Sequence, residues 1–121
     1  MRAAIYEATG PAAEVLRVAE VEAPAPGPGE VRVAVVRHGV NPTDVKRRAG
    51  ARGPLPFPRV IPGYDAAGVI EAVGEGVDRA RLGERVWLWE AAHRRWDGAA
   101  AELICVPESR ALPLPAALSW E

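Results

Sequence analysis

Apolar side chains in this chain recur in short alternating runs cut by glycine and proline, the pattern of strands joined by tight turns. Arg2–Glu7 is a short β-prone start. Glu14–Val21 sets Val15, Leu16, Val18 and Val21 among polar neighbours and predicts a second strand. Residues 24–30 alternate proline and glycine and form a loop, because proline removes donors and glycine loosens the chain. Val31–Val36 is β-branched and is the clearest strand. Arg52–Pro62, with four prolines, is loop. Ala66–Val73 predicts a strand bent or bulged around Gly68. Turns at Gly74–Gly76 and Leu82–Glu84, strands at Arg85–Trp89, Ala99–Val106 and Arg110–Leu112, and a helix starting in Pro113–Glu121, with Ser119 as a cap, complete the pattern.

One stretch departs from the β pattern. Asn41 suits a helix N-cap and Pro42 the first helical position, where a missing donor costs nothing. Asp44 stands where a capping-box partner reaches back. Lys46, Arg47 and Arg48 fall in the last turn, favourable to the dipole, and Gly50 ends it. A helix of barely two turns is unstable alone, so it must dock on something. Many short strands, frequent turns and one tiny helix indicate a mainly β fold, a partly closed antiparallel barrel; a sandwich also satisfies the pattern.

Composition narrows the function classes. The 121 residues suit one domain, and 49% apolar residues suffice for one core. The net charge of −1, with no basic run longer than the helix's own Lys46–Arg48, speaks against a nucleic-acid partner. No apolar run is long enough for a membrane span, and Glu7 comes too early for a signal peptide. Cys105 is the only cysteine, which suits a reducing, cytoplasmic setting and excludes a cysteine-rich metal site. It lies in an apolar strand and reads as a small buried hydrophobe. His38 and His93 lack metal-type spacing and read as structural or solvent-exposed. Gly74-Glu75-Gly76 lacks the third glycine and following helix of a dinucleotide fingerprint. Trp87, Trp89 and Trp96 are expected in the core or a pocket wall, and Arg48 and Asp65 as an ion pair or cap. Lys46 is the only lysine beside fourteen arginines.

Several motifs fall in register. Gly39-Val40-Asn41-Pro42-Thr43-Asp44-Val45-Lys46-Arg47-Arg48-Ala49-Gly50 is followed by Pro62-Gly63-Tyr64-Asp65-Ala66-Ala67-Gly68-Val69-Ile70. Val73-Gly74-Glu75-Gly76-Val77 and Gly83-Glu84-Arg85-Val86 come next. Together they resemble the medium-chain dehydrogenase/reductase superfamily, in its zinc-independent quinone and enone oxidoreductase branch, over essentially the whole chain. The resemblance implies a GroES-like, partly open β-barrel with one or two short helices. Residues 1–121 would form the catalytic, substrate-side domain, and 113–121 the start of the connection to a Rossmann domain absent from the chain.

The resemblance also implies a chemistry. Zinc alcohol dehydrogenases carry a cysteine ligand where this chain has Asn41, and Gly-His-Glu where it has Gly63-Tyr64-Asp65. Amide and phenol are poor zinc ligands, so no zinc is expected. The short connection Leu88–Asp97 replaces the structural-zinc lobe. The implied reaction is hydride transfer from NADPH to a quinone or an α,β-unsaturated carbonyl compound, with Asn41, Lys46 and Tyr64 as catalytic residues. Asn41, Pro42 and Lys46 would contact the cofactor. The Asp44, Lys46, Arg47 and Arg48 set is similar to plant-type enone and alkenal oxidoreductases. The Rossmann domain would come in cis or in trans, a homodimer is compatible with both, and the chain alone should be inactive. Half of a split enzyme and a non-catalytic binding module are the other readings. An enzyme half should carry a sticky apolar face, a module a polar surface throughout.

Overall fold

The computed structural model describes residues 1–120; Glu121, the last residue of the expected connection, lies outside the described residues. Seven strands and two short helices follow one another: β1 Arg2–Ile5, α1 Ala12–Val15, β2 Arg17–Glu20, β3 Glu30–His38, α2 Pro42–Arg48, β4 Ala66–Val73, β5 Arg85–Leu88, β6 Leu103–Pro107 and β7 Ala111–Pro113. Single 3-10 turns at Arg79–Arg81 and Glu108–Arg110 sit ahead of β5 and β7.

The large sheet is antiparallel, in the order β6-β3-β4-β5-β7, and β1 pairs separately with β2. Its curl is built into the pairing of β3 with β4. Glu71 is skipped between the pairs Arg32↔Ala72 and Val33↔Ile70, and Val36 between Val35↔Gly68 and Arg37↔Ala67. Two bulges in one ladder bend the sheet into a half-barrel. Gly68 lies at this bend because nothing larger fits: a Cβ there would stand 2.2 Å from the Ala34 carbonyl oxygen. The concave face holds the main core, with Val31, Val33, Ile70, Val86, Leu88 and Ile104 at 1% exposure or less. A second cluster, Ala3, Ile5, Val21, Ile61 and Ala100, seats the β1–β2 pair. Isolated bridges Ala3↔Ala101 and Tyr6↔Val60 tie that pair to the loops.

Three predicted elements differ. The strand expected over Glu14–Val21 begins only at Arg17, because Pro11 opens one helical turn, α1, and Ala-Ala-Glu is good helix-forming sequence. The strand expected over Ala99–Val106 begins at Leu103. Before it, the Ala99 and Ala100 N–H groups donate to Gly63 and Pro62 carbonyls, and Ala4 donates to Ala100, so a loop takes their ladder positions. No helix forms in 113–120. Pro115 disfavours helical geometry at Leu114, whose N–H instead donates to Arg85 at 2.8 Å. The segment closes in one turn, Leu118 to Pro115, and Trp120 lies under the Arg85 guanidinium at 4.3 Å. Among the described residues no helix is long and apolar enough to cross a membrane.

Candidate functional site

The candidate site is the passage from β3 into α2 and the loop that runs beneath it. After His38 the chain passes under Asp65: the Gly39 N–H donates to the Asp65 carbonyl at 3.1 Å, and a Cβ at position 39 would stand 2.6 Å from Asp65 Oδ2. A side chain at 39 would displace the Asp65 carboxylate and with it the Asn41–Asp65 contact. Asn41 then caps α2 as expected, and the capping box with Asp44 forms. The Asn41 N–H donates to Asp44 Oδ2 at 2.9 Å, and the Asp44 N–H returns to the Asn41 carbonyl at 3.0 Å.

Asp44 does more than cap. It is the one buried charged residue among those described, at 7% exposure. Its second oxygen accepts the buried Gly63 N–H at 3.0 Å. One carboxylate thus fixes both the first turn of α2 and the loop that presents Tyr64. Loop and helix are further joined where the Asn41 amide nitrogen donates to Asp65 Oδ1. Arg47 lies 5.5 Å from the Tyr64 ring centroid, and Tyr64 in turn accepts the Ala91 N–H through its carbonyl at 2.8 Å. At the far end of α2, Arg48 donates to the Gly10 carbonyl and accepts the Gly10 N–H at 2.9 Å. This answers how a two-turn helix is held: four cross-links replace the stability it lacks alone.

Of the residues singled out from sequence, Asn41 and Tyr64 are half-buried and are brought together through Asp65. Pro42 and Lys46 are exposed on the same helix, and the Lys46 ammonium has no hydrogen-bond or ion-pair partner among the described residues. Arg48 and Asp65 do not pair: Arg48 goes to Gly10 and Asp65 to Asn41, because they lie at opposite ends of the helix. His38 and His93 are exposed. Burial, then the charge of Glu30, pushes the Cys105 thiol up to about 11, consistent with an inert core cysteine. Trp87, Trp89 and Trp96 are not core residues but stand 40%, 42% and 36% exposed. Strand alternation turns Val86 and Leu88 inward in place of Trp87 and Trp89, while Trp96 is a pocket-wall residue as expected, lining a hollow with Arg59, Ile61 and Leu103. No group of three or more His, Cys, Asp or Glu among the described residues is arranged to hold a metal ion.

Sequence reasoning missed two features. One is the Asp44–Gly63 link, for which position in a capping box gives no signal. The other is a cavity of about 260 Å³ on the side of α2 away from Lys46, walled by Tyr6, Leu16, Val40, Val45 and Pro62. Val40 and Val45 were its visible trace, apolar residues in and beside a polar helix, 76% and 46% exposed. Burial raises the Tyr6 phenol above its ordinary range, against the lowering pull of Arg47, so the hydroxyl stays protonated.

The profile described as alcohol dehydrogenase GroES-like domain matches residues 27–116. The quinone oxidoreductase of Rattus norvegicus is 35% identical over 117 residues, which cover 96% of this chain and 34% of that protein. A solved NAD-dependent alcohol dehydrogenase superposes with a TM-score of 0.89 at 34% identity, over 100% of this chain and 41% of that one. A mycobacterial protein solved in complex with NADPH does so with a TM-score of 0.84 at 31% identity, over 99% and 35%. The chain spans about a quarter to a third of the length of the curated relatives it matches.

Proposed function

The chain belongs to the alcohol dehydrogenase GroES-like domain family, and from that premise we propose that it is the acceptor-side half of a zinc-independent, NADPH-dependent oxidoreductase acting on quinones or α,β-unsaturated carbonyl compounds. The observation that carries this reading is the tethered Asn41. Its backbone is held by Asp44 and its amide by Asp65. A rigid polar group therefore stands where the zinc enzymes of this superfamily place a thiolate, and an amide is a poor zinc ligand. The relatives named quinone oxidoreductase and the NADPH-bound structural neighbour support the substrate class and the cofactor.

NADPH supplies a hydride. The chain's own residues position and polarise. Asn41 has one amide hydrogen beyond the one given to Asp65, available to a carbonyl oxygen at the rim. Lys46 holds an unpaired cation one turn further on, suited to the oxygen that gains charge or to a ribose hydroxyl of the cofactor. Pro42 exposes an apolar ring at the start of the same helix. Tyr64, steadied by Arg47, forms a wall. An activated acceptor needs no Lewis acid, because conjugation already draws the hydride in. The exposed Trp87 and Leu112, directly opposed on β5 and β7, support a partner domain over a module polar throughout.

The test is a chimera in which this chain replaces the matching segment of the rat quinone oxidoreductase. It should oxidise NADPH when given a quinone or an enone, while the 121-residue chain alone should not. Lys46→Met should lower kcat/KM about ten- to a hundredfold. A folded chimera that reduces neither acceptor, or that needs added zinc to do so, overturns the proposal.

A further inference from the structure

We propose that the cavity behind α2 is a second binding site, for a flat, uncharged molecule of one or two rings bearing a carbonyl oxygen. It shares Gly39, Asp44 and Gly63 with the candidate site, but none of Asn41, Lys46 or Tyr64 lines it, so it adjoins that site on another face of α2. Its size sets the ring count. An apolar cavity of about 150 Å³ holds benzene, and one of about 260 Å³ has room for a substituted or fused ring.

Its chemistry sets the charge. The walls are apolar: Leu16, Val40, Val45 and Pro62, with the Tyr6 ring at 1% exposure. The one acid there, Asp44, has both oxygens engaged by the N–H groups of Asn41 and Gly63. It therefore offers no strong acceptor to a ligand cation. Of the two basic residues in the lining, Arg48 is anchored on the Gly10 carbonyl and His38 Nδ1 lies 3.1 Å from the Gly39 carbonyl. A carboxylate would lose its water against apolar walls, at a cost a neutral carbonyl avoids. The Tyr6 hydroxyl, kept neutral by burial, is a donor suited to that carbonyl.

The wall also gives the site a route to the other side of the helix. Asp44 borders the cavity and holds the backbone of both Asn41 and Gly63. A ligand against Asp44 therefore bears on the two segments that carry the candidate site.

The experiment is a titration of the isotopically labelled 121-residue chain with 1-tetralone, followed by amide NMR, with 1-naphthoate as the charged comparison. Saturable shifts should centre on Tyr6, Leu16, Val40 and Val45 and extend through Asp44 to Asn41 and Gly63. Val45→Asp, at a half-exposed position, should weaken binding at least tenfold, and Leu16→Trp, which fills the mouth, should do the same by another route. Trp87→Ser, on the distant sheet face, should leave affinity unchanged. The site is refuted by the absence of saturation, by shifts centred on Trp87 and Leu112, or by two folded cavity variants that bind as the parent does. Tighter binding of 1-naphthoate than of 1-tetralone refutes the uncharged class.

Discussion

At the scale of single residues, Asp44 is where structure and candidate chemistry meet. Replacing it with alanine removes the capping-box acceptor and leaves the buried Gly63 N–H without its partner. These losses together should cost about 2–4 kcal/mol, read from urea unfolding. Asn at this position supplies one oxygen for two N–H groups, so Asp44→Asn should fall between the parent and alanine. Equal stability of all three would show that water satisfies Gly63. The second prediction concerns Cys105, 1% exposed, whose thiol rises to about 11 from an ordinary 9.0. The folded state holds this proton more tightly than the unfolded chain does. Its contribution to stability is therefore complete below about pH 9 and fades as the pH climbs through 11. Cys105→Ala should flatten that part of the stability–pH curve, and the parent thiol should resist iodoacetamide at neutral pH until the chain unfolds. An identical slope in the two proteins would assign the alkaline loss to other groups.

At the scale of elements, legibility followed the range of the interactions involved. α2 was readable to its ends because Asn41, Pro42, Asp44 and Gly50 act on their own backbone within a turn or two. β3 and β4 were readable because alternation and β-branching are local as well. Ala99–Glu102 was not, since the Ala99 and Ala100 N–H groups go to Gly63 and Pro62 and that of Glu102 to Arg2, all far away in sequence. The α1 turn fell below the length at which periodicity gives a signal. The bulge around Gly68 was foreseen from a glycine inside an apolar run, and the structure adds its reason. β4 lies between β3 and β5, so a Cβ at 68 meets the Ala34 carbonyl oxygen at 2.2 Å and Val33 Cγ1 at 2.7 Å. A backbone oxygen in a central ladder cannot swing away as a side-chain tip could. Gly68→Ala should therefore cost about 3 kcal/mol or more or leave no folded protein, by circular dichroism and thermal melting. A variant that melts with the parent would mean that the two bulged strands slide to make room.

At the scale of the whole molecule, the half-barrel turns its best apolar residues in and still leaves large ones out. The tryptophans were expected in the core or a pocket wall, and of the three Trp96 lines a pocket. For the other two the strand's period of two decides otherwise: Val86 and Leu88 point inward at 0% exposure, which sends Trp87 and Trp89 outward. Trp87 pairs with Leu112, itself 37% exposed, so the outward residues form a continuous cross-strand patch rather than scattered singles. In water such a patch favours self-association when nothing else covers it. The sedimentation coefficient of the parent chain should accordingly rise with concentration, and that of a Trp87→Ser, Leu112→Ser variant should not. Because both side chains lie outside the core, the variant should melt within about 1 kcal/mol of the parent, separating association from folding. In the chimera with the rat enzyme, the same two substitutions should lower NADPH oxidation by loosening the contact between the two parts, leaving the fold of each intact. Association unchanged by both substitutions would move the sticky surface elsewhere, with Val40 before α2 and Val45 within it the next residues to replace.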